Sequence, residues 1–181
     1  RCTLDQINAM VRDSEIKTQD MNIIESMTAS VFNTDSLHSY RIKMSTVKPN
    51  NRLQNLSDKD FLQAIGAIGV GEDLIFHPTA AGLLMFGKSK FIKREYPSYC
   101  LEYKELLQNN RSTKISSDSN SDCENLYDFF IDVFEKISSD IKLTANNKSD
   151  ITPITTALRE ALANCLINAD YYGENGVIII K

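Results

Sequence analysis

The sequence predicts an α+β protein. Three patterns carry that expectation: a helix–strand–helix run over 57–87, a strand-like alternation over 98–104, and two long amphipathic stretches in the last third of the chain. In the alternation, Tyr99, Leu101 and Tyr103 interleave with Ser98, Cys100, Glu102 and Lys104, which suits a half-buried strand.

The elements follow in order. Thr3-Leu4-Asp5-Gln6 fits a capping box, and Ile7, Met10 and Val11 continue at helical spacing, so a short helix is expected to about Ser14. Residues 15–56 are mixed: Met44-Ser45-Thr46-Val47 reads as a short strand, and Lys48-Pro49-Asn50-Asn51 ends anything regular. Residues 1–56 are therefore read as an arm lying along the main body. Ser57, with Asp60 three residues on, caps a helix whose apolar face is Phe61, Leu62 and Ile65, and Gly66 lies near its end. A turn over Gly69–Asp73 leads to a strand at Leu74-Ile75-Phe76, with His77 taken as a turn residue. Pro78-Thr79 then opens a helix from Ala80 to about Phe86, stopped by Gly87. This 57–94 unit resembles part of a winged-helix module.

Asn109–Asp122, rich in Ser, Asn and Asp, is expected to be a mobile loop. Leu126, Phe129, Phe130, Val133, Ile137 and Ile141 form one helical stripe, Thr144–Asp150 is a polar connector, and Thr152-Pro153 starts a last helix to about Ala169. Val177–Ile180 reads as a strand, but no turn or partner follows it before Lys181. The chain also starts at Arg1, so it is expected to be a piece of a longer protein.

Composition narrows the classes. The chain has 181 residues, 42% hydrophobic, and 20 Lys+Arg against 24 Asp+Glu for a net charge of −4. That apolar fraction excludes a wholly disordered chain, and the length suffices for a sizeable core. Cys2, Cys100, Cys123 and Cys165 form no CxxC pair, and His38 and His77 alone offer little for a histidine metal site. The longest apolar run, Ala80–Phe86, is far short of a membrane span, and no basic n-region with an apolar core opens the chain, so nothing in it suggests secretion. A reduced, soluble, cytoplasmic protein is expected.

The chemistry concentrates in the last helix. Leu158, Leu162, Cys165, Leu166 and Ala169 fall within about 100° of arc and form its core face. Glu160, Asn164 and Asn168 recur every fourth residue on the opposite face, drifting only about 40° per step. Asparagine is a mediocre helix former, and Ala163 and Ile167 beside this row look like the wall of a pocket rather than open surface. A carboxylate one turn before an amide suits a metal-bound phosphate: the Glu takes a proton from water and the Asn oxygen ligates Mg²⁺. Elsewhere, no GxxxxGK[ST] loop exists, which excludes a P-loop. Gly66–Gly71 follows a helix rather than a strand, which excludes a dinucleotide fingerprint, and no nucleophile elbow accompanies the serines. Cys165, on the core face, reads as a small buried hydrophobe. Lys88, Lys90, Lys93 and Arg94, with Phe91 among them, form a basic cluster suited to phosphates. The net negative charge, however, makes a solvated loop the better reading of it, and any strong nucleic-acid grip is expected elsewhere in the parent protein.

The run Leu158–Tyr172, followed by a glycine turn and Val177–Ile180, resembles the N-box helix and next strand of a GHKL-type ATP-binding domain. Phe61–Gly69, His77–Lys88 and Tyr96–Glu105 resemble the segments that precede it in Schlafen AlbA-like proteins, a family labelled as transcriptional regulators, divergent AAA proteins or RecG-helicase-related ATP-binding proteins. Together these segments span about two thirds of the chain in the family's order. The resemblance implies that 95–181 is the N-terminal part of a GHKL-like α/β sandwich. Glu160 would then be the general base, Asn164 the Mg²⁺ ligand, and Asn168 and Asp170 further cofactor-binding positions, although many relatives carry His at the position of Asn168. It implies ATP and Mg²⁺ as cofactors of the parent protein, with none expected on this piece alone because the adenine-binding boxes would lie beyond Lys181. It also implies DNA or RNA as the parent's partner, no membrane, and leaves self-association open. Two other readings stand beside it: an interaction scaffold in which Glu160 and Asn164 are surface residues, and a nucleic-acid module over 57–94.

Overall fold

The computed structural model describes residues 3, 4, 7, 10, 11, 18–107, 110–117, 123–144 and 148–172. The chain divides into two units, Arg1–Phe91 and Ile92–Lys181, and its described architecture is α+β.

In the first unit, α1 (Thr34–Val47) and α2 (Asp58–Ala64) precede an antiparallel hairpin of β1 (Ile68–Val70) and β2 (Phe76–Pro78). α3 (Ala80–Phe86) follows, and α4 (Ser89–Glu95) carries the boundary between units. Side-chain caps fix the helix starts. Asn33 Oδ1 accepts from the amides of Asp35 and Ser36 at 2.9 and 3.3 Å, and Ser57 Oγ accepts from the Asp60 amide at 3.2 Å. α2 ends in a Schellman motif: Gly66 has φ +76°, its amide donates to Gln63 O at 3.0 Å, and the Ala67 amide donates to Leu62 O at 2.8 Å. Thr79 links this turn to α3, donating through Oγ1 to Gly66 O at 2.8 Å and accepting there from the Gly82 amide at 3.1 Å.

The arm is part of this core. Ile24, Met27, Val31, Phe32 and Leu37 are buried with Phe61, Leu62, Leu83, Leu84 and Phe86. Backbone bridges pair Ile23 with Thr79 and Phe32 with Gly87. Met44–Val47, expected as a strand, is the last turn of α1, because the helix nucleated at Asn33 continues through its β-branched residues. The expected strand at Leu74–Phe76 lies two residues later, at Phe76–Pro78. Its partner, Ile68–Val70, falls partly in what the sequence marks as a turn. Gly69 looks like a breaker but sits opposite His77 with Ile23 packed over it: a Cβ there would lie 3.1 Å from Ile23 Cδ1.

The hairpin turn closes with the Leu74 amide donating to Gly71 O at 3.1 Å and the Gly71 amide donating to Ile75 O at 2.9 Å. Leu74 takes the left-handed position that glycine ordinarily fills, with φ +62°, and is 83% exposed. Leu74→Gly removes about 1–2 kcal/mol of steric cost and adds about 0.5–1 kcal/mol of unfolded-state entropy. A net gain of about 0.5–1 kcal/mol is expected, read as a higher melting temperature.

In the second unit, β3 (Glu102–Leu107) pairs antiparallel with β4 (Asn110–Ser116), and α5 (Leu126–Thr144) and α6 (Lys148–Ile167) follow. Tyr99 and Leu101 are buried as the alternation requires, but the ladder begins at Glu102. Leu101 is tied instead through Ser117, whose Oγ accepts its amide at 2.8 Å and whose amide donates to Leu101 O at 2.9 Å. Much of the segment expected as a mobile loop is β4, since pairing with β3 outweighs its weak strand propensity. Asn125 caps α5, accepting from the Asp128 amide at 3.0 Å. From the α5 stripe, Leu126, Phe129 and Val133 are buried, and Leu101, Phe129, Val133 and Leu166 line a common small cavity. α6 starts at Lys148 and holds Pro153 inside it, rather than starting at Thr152-Pro153.

Leu4, Ile7, Met10 and Val11 are helical, and the Ile7 amide donates to Thr3 O at 3.1 Å. Gln6 of the capping box, residues 118–122 of the expected loop, 145–147 of the connector, and the strand at 177–180 with Gly173 and Gly176 lie outside the described residues.

Candidate functional site

α6 presents the core face read from its sequence: Leu162 and Leu166 are buried, and Leu158, Cys165 and Ala169 are half-buried. Glu160, Asn164 and Asn168 lie on the opposite, exposed side. The Glu160 carboxylate and the Asn164 side-chain amide engage no partner among the described residues, so one carboxylate base and one neutral oxygen ligand stand a helical turn apart. That donor set suits a hard, oxygen-seeking cation such as Mg²⁺.

Asn168 differs from them. Its amide and its Nδ2 both donate to Asn164 O, at 3.0 and 2.8 Å, closing the last turn of the helix. The Tyr171 hydroxyl adds a bond to Leu166 O at 2.7 Å, and Asp170 Oδ1 accepts the Tyr172 amide at 3.1 Å. Asp170 thus shapes the turn after α6, an Asx arrangement in a short polar segment. Ile167 is not a pocket wall among the described residues; it is 74% exposed.

The basic residues fall on and beside α4. Lys88 Nζ donates to Ser30 O at 3.4 Å, and Lys90 Nζ lies 4.8 Å from the Phe91 ring centroid. Lys93 and Arg94 occupy the last turn of α4, where cations suit the negative end of the helix dipole. Lys90, Lys93 and Arg94 are three and four residues apart, so they share one helix face.

A cleft of ≈ 560 Å³ opens beside α1, lined by His38, Arg41, Ser45 and Gln54 among others. Its cation is already occupied. Arg41 donates to Asp58, and its other terminal nitrogen donates to Gln54 O at 3.0 Å and Leu56 O at 2.6 Å. The thiol at Cys123 is equally unavailable for chemistry, because burial pushes it up to about 12.

His77 is where the sequence reading falls furthest short. It is a buried strand residue, 4% exposed, and not a turn residue. Its Nδ1 lies 2.7 Å from Met27 O, and its Nε2 lies 3.0 Å from both carboxylate oxygens of Asp73. The hydrogen bonds to Met27 O and Asp73 hold the ring's proton above the usual histidine value of 6.5, while its own backbone partner Ile75 and His77 hold the Asp73 carboxyl below 3.8. The Asp-x-x-x-His spacing was legible, but the Met27 carbonyl fifty residues earlier was not.

Among the described residues no group of three or more His, Cys, Asp or Glu side chains is placed to hold a metal ion, and no helix is long and apolar enough to cross a membrane. No curated protein and no solved structure matches the chain. The family described as a domain of unknown function (DUF8451) matches residues 8–102. That match takes in more than half of the 181 residues, and the chain belongs to this family.

Proposed function

We propose that this chain is the central part of a cytoplasmic, ATP-binding, DNA-binding transcriptional regulator of the Schlafen AlbA-like kind. In this reading 57–94 is its winged-helix-like unit, and 95–181 is the N-terminal portion of its GHKL-like nucleotide domain. One observation carries the reading: Glu160 and Asn164 project from one exposed face of α6, a turn apart, with neither side chain committed to a partner among the described residues. The motif segments that resemble the family support it in their order along the chain.

Bound there, Mg·ATP supplies the cation and the phosphoryl group. Asn164 would offer its side-chain oxygen to the cation, and Glu160 would accept a proton from a water molecule. Asn168 and Asp170 keep the end of α6 closed and so hold that face in place. In this reading the rest of such a site would come from other parts of the parent protein.

The test uses the full-length protein containing this chain. Mg·ATP is expected to raise its melting temperature by linkage, by about 2.7 kcal/mol of stability at a hundredfold excess over Kd. Asn164→Ala is expected to remove the Mg²⁺-dependent part of that shift. Glu160→Ala is expected to lower hydrolysis by about 10²–10⁴-fold while leaving binding and stability in place. Unchanged hydrolysis in Glu160→Ala overturns the assignment of the base.

A second reading has its own support. Ile167 is 74% exposed beside the polar row, which suits a face that docks on another protein. Under this scaffold reading, neither substitution alters nucleotide binding.

A further inference from the structure

The surroundings of His77 define a proton state. A neutral imidazole has one N–H and one bare nitrogen, so it can donate only once. Both ring nitrogens here face oxygens that only accept: the Met27 carbonyl at 2.7 Å and the Asp73 carboxylate at 3.0 Å. The geometry is satisfied only when both nitrogens carry hydrogen.

The bonds join two parts of the first unit that are far apart in sequence. Met27 belongs to the arm, whose Ile24 amide donates to Pro78 O at 2.9 Å. Asp73 belongs to the hairpin turn, where its Oδ1 also accepts the Ile75 amide at 2.9 Å. Glu25, again from the arm, accepts the Glu72 amide at 2.8 Å. Among the described residues, the charged groups facing the ring are Asp73 from its own hairpin and Glu25 from the arm, both acidic; Lys59 of α2 lies over the Phe76 ring instead, 4.2 Å from its centroid. The three side chains close around Gly71. A Cβ there would lie 2.9 Å from His77 Cδ2, 3.0 Å from Glu25 Oε1 and 3.1 Å from Asp73 Oδ1. The turn held this way presents Leu74 in a costly left-handed conformation with Ile75 exposed beside it.

We propose that His77 is a proton-operated latch: as imidazolium it ties the turn Gly71–Ile75 to the arm at Met27, and its deprotonation releases that turn with the exposed Leu74–Ile75 edge. On losing a proton the ring keeps one donor. One of the two acceptors then faces a lone pair, and the strain at Leu74 favours departure of the turn rather than of the arm, which stays paired to the end of β2 and to Thr79. The sign follows from linkage. A histidine that binds its proton more tightly in the folded chain contributes stability fully below 6.5, and that contribution is lost as pH rises through the higher folded value. Asp73, held below 3.8, contributes above that value and loses its contribution as pH falls through the lower folded one. The latch is therefore closed between those limits and opens on the alkaline side.

The test is an NMR titration of the imidazole signals of the 181-residue chain from about pH 5 to about pH 9. Because the chain has only two histidines, His38→Gln identifies the His77 signals. His77 is expected to titrate above 6.5 with both nitrogens protonated below its midpoint. Hydrogen-exchange protection of the Glu72, Leu74 and Ile75 amides is expected to fall across that midpoint, beyond the intrinsic acceleration with pH, while the Phe61 amide in α2 stays protected. Asp73→Asn, which keeps the shape and the acceptor for Ile75, is expected to move the His77 midpoint down. A midpoint at or below 6.5, protection unchanged through the titration, or an Asp73→Asn midpoint equal to that of the parent chain overturns the latch.

Discussion

Gly82→Ala is expected to destabilise the first unit by about 3 kcal/mol or more. Alanine is the better helix former by about 1 kcal/mol, so propensity alone predicts the opposite sign. Space decides. A Cβ on Gly82 would stand 2.1 Å from Ala67 O and 2.7 Å from both the carbonyl carbon and the Cα of Ala67. These are backbone atoms, and they are fixed from both sides: the Ala67 amide donates to Leu62 O at 2.8 Å, and Ala67 O accepts the Thr79 amide at 3.0 Å. Making room means moving α3 away from the α2–β1 connection. That motion breaks the Thr79 bonds and opens the layer around Leu83 and Leu84, both buried. The chain has no tryptophan, so urea unfolding followed by circular dichroism is the suitable measurement. A variant within about 1 kcal/mol of the parent contradicts the close approach.

Phe61→Ala is expected to cost about 3–5 kcal/mol, the range for emptying a buried aromatic site. Phe61 is 0% exposed, with the Tyr40 ring 6.3 Å from it and the Arg41 guanidinium carbon 4.7 Å from its centroid. Its loss does more than leave a cavity. Arg41 braces the segment before α2 through Gln54 O and Leu56 O, and the ring face is what holds the guanidinium over it. The same unfolding measurement should therefore show a midpoint shift together with earlier exchange of the Asp60 amide, which the Ser57 cap holds at the start of α2. A loss below about 1 kcal/mol goes against a packed role for Phe61.

Both effects arise in residues whose sequence signature pointed only partway. Phe61 was readable as part of an apolar helix face, and Ser57 as its cap, because both signals are local and repeat at the helical period. Gly82 was readable as a helix residue and nothing more. Its neighbour is fifteen positions away, so no periodicity reports the contact. The same division holds at the candidate sites. The row Glu160, Asn164 and Asn168 follows from counting along one helix, and it is found on one exposed face. That Asn168 is bonded to Asn164 O, while the Glu160 and Asn164 side chains meet no partner among the described residues, depends on rotamers that spacing does not specify.

The α+β class, the caps of α2 and α3, the core face of α6 and the absence of a P-loop are all legible in the order of residues along the chain. Each rests on residues within a few positions of one another, where backbone geometry leaves few choices. Long-range packing, by contrast, makes Ile68–Val70 a strand, pairs much of the expected loop at 109–122 as β4, brings the arm into the core and buries His77 between Met27 and Asp73. Those outcomes depend on which distant backbone groups and side chains meet. Burial there carries a cost for every polar group left unpaired, and that cost, more than local propensity, selects the arrangement.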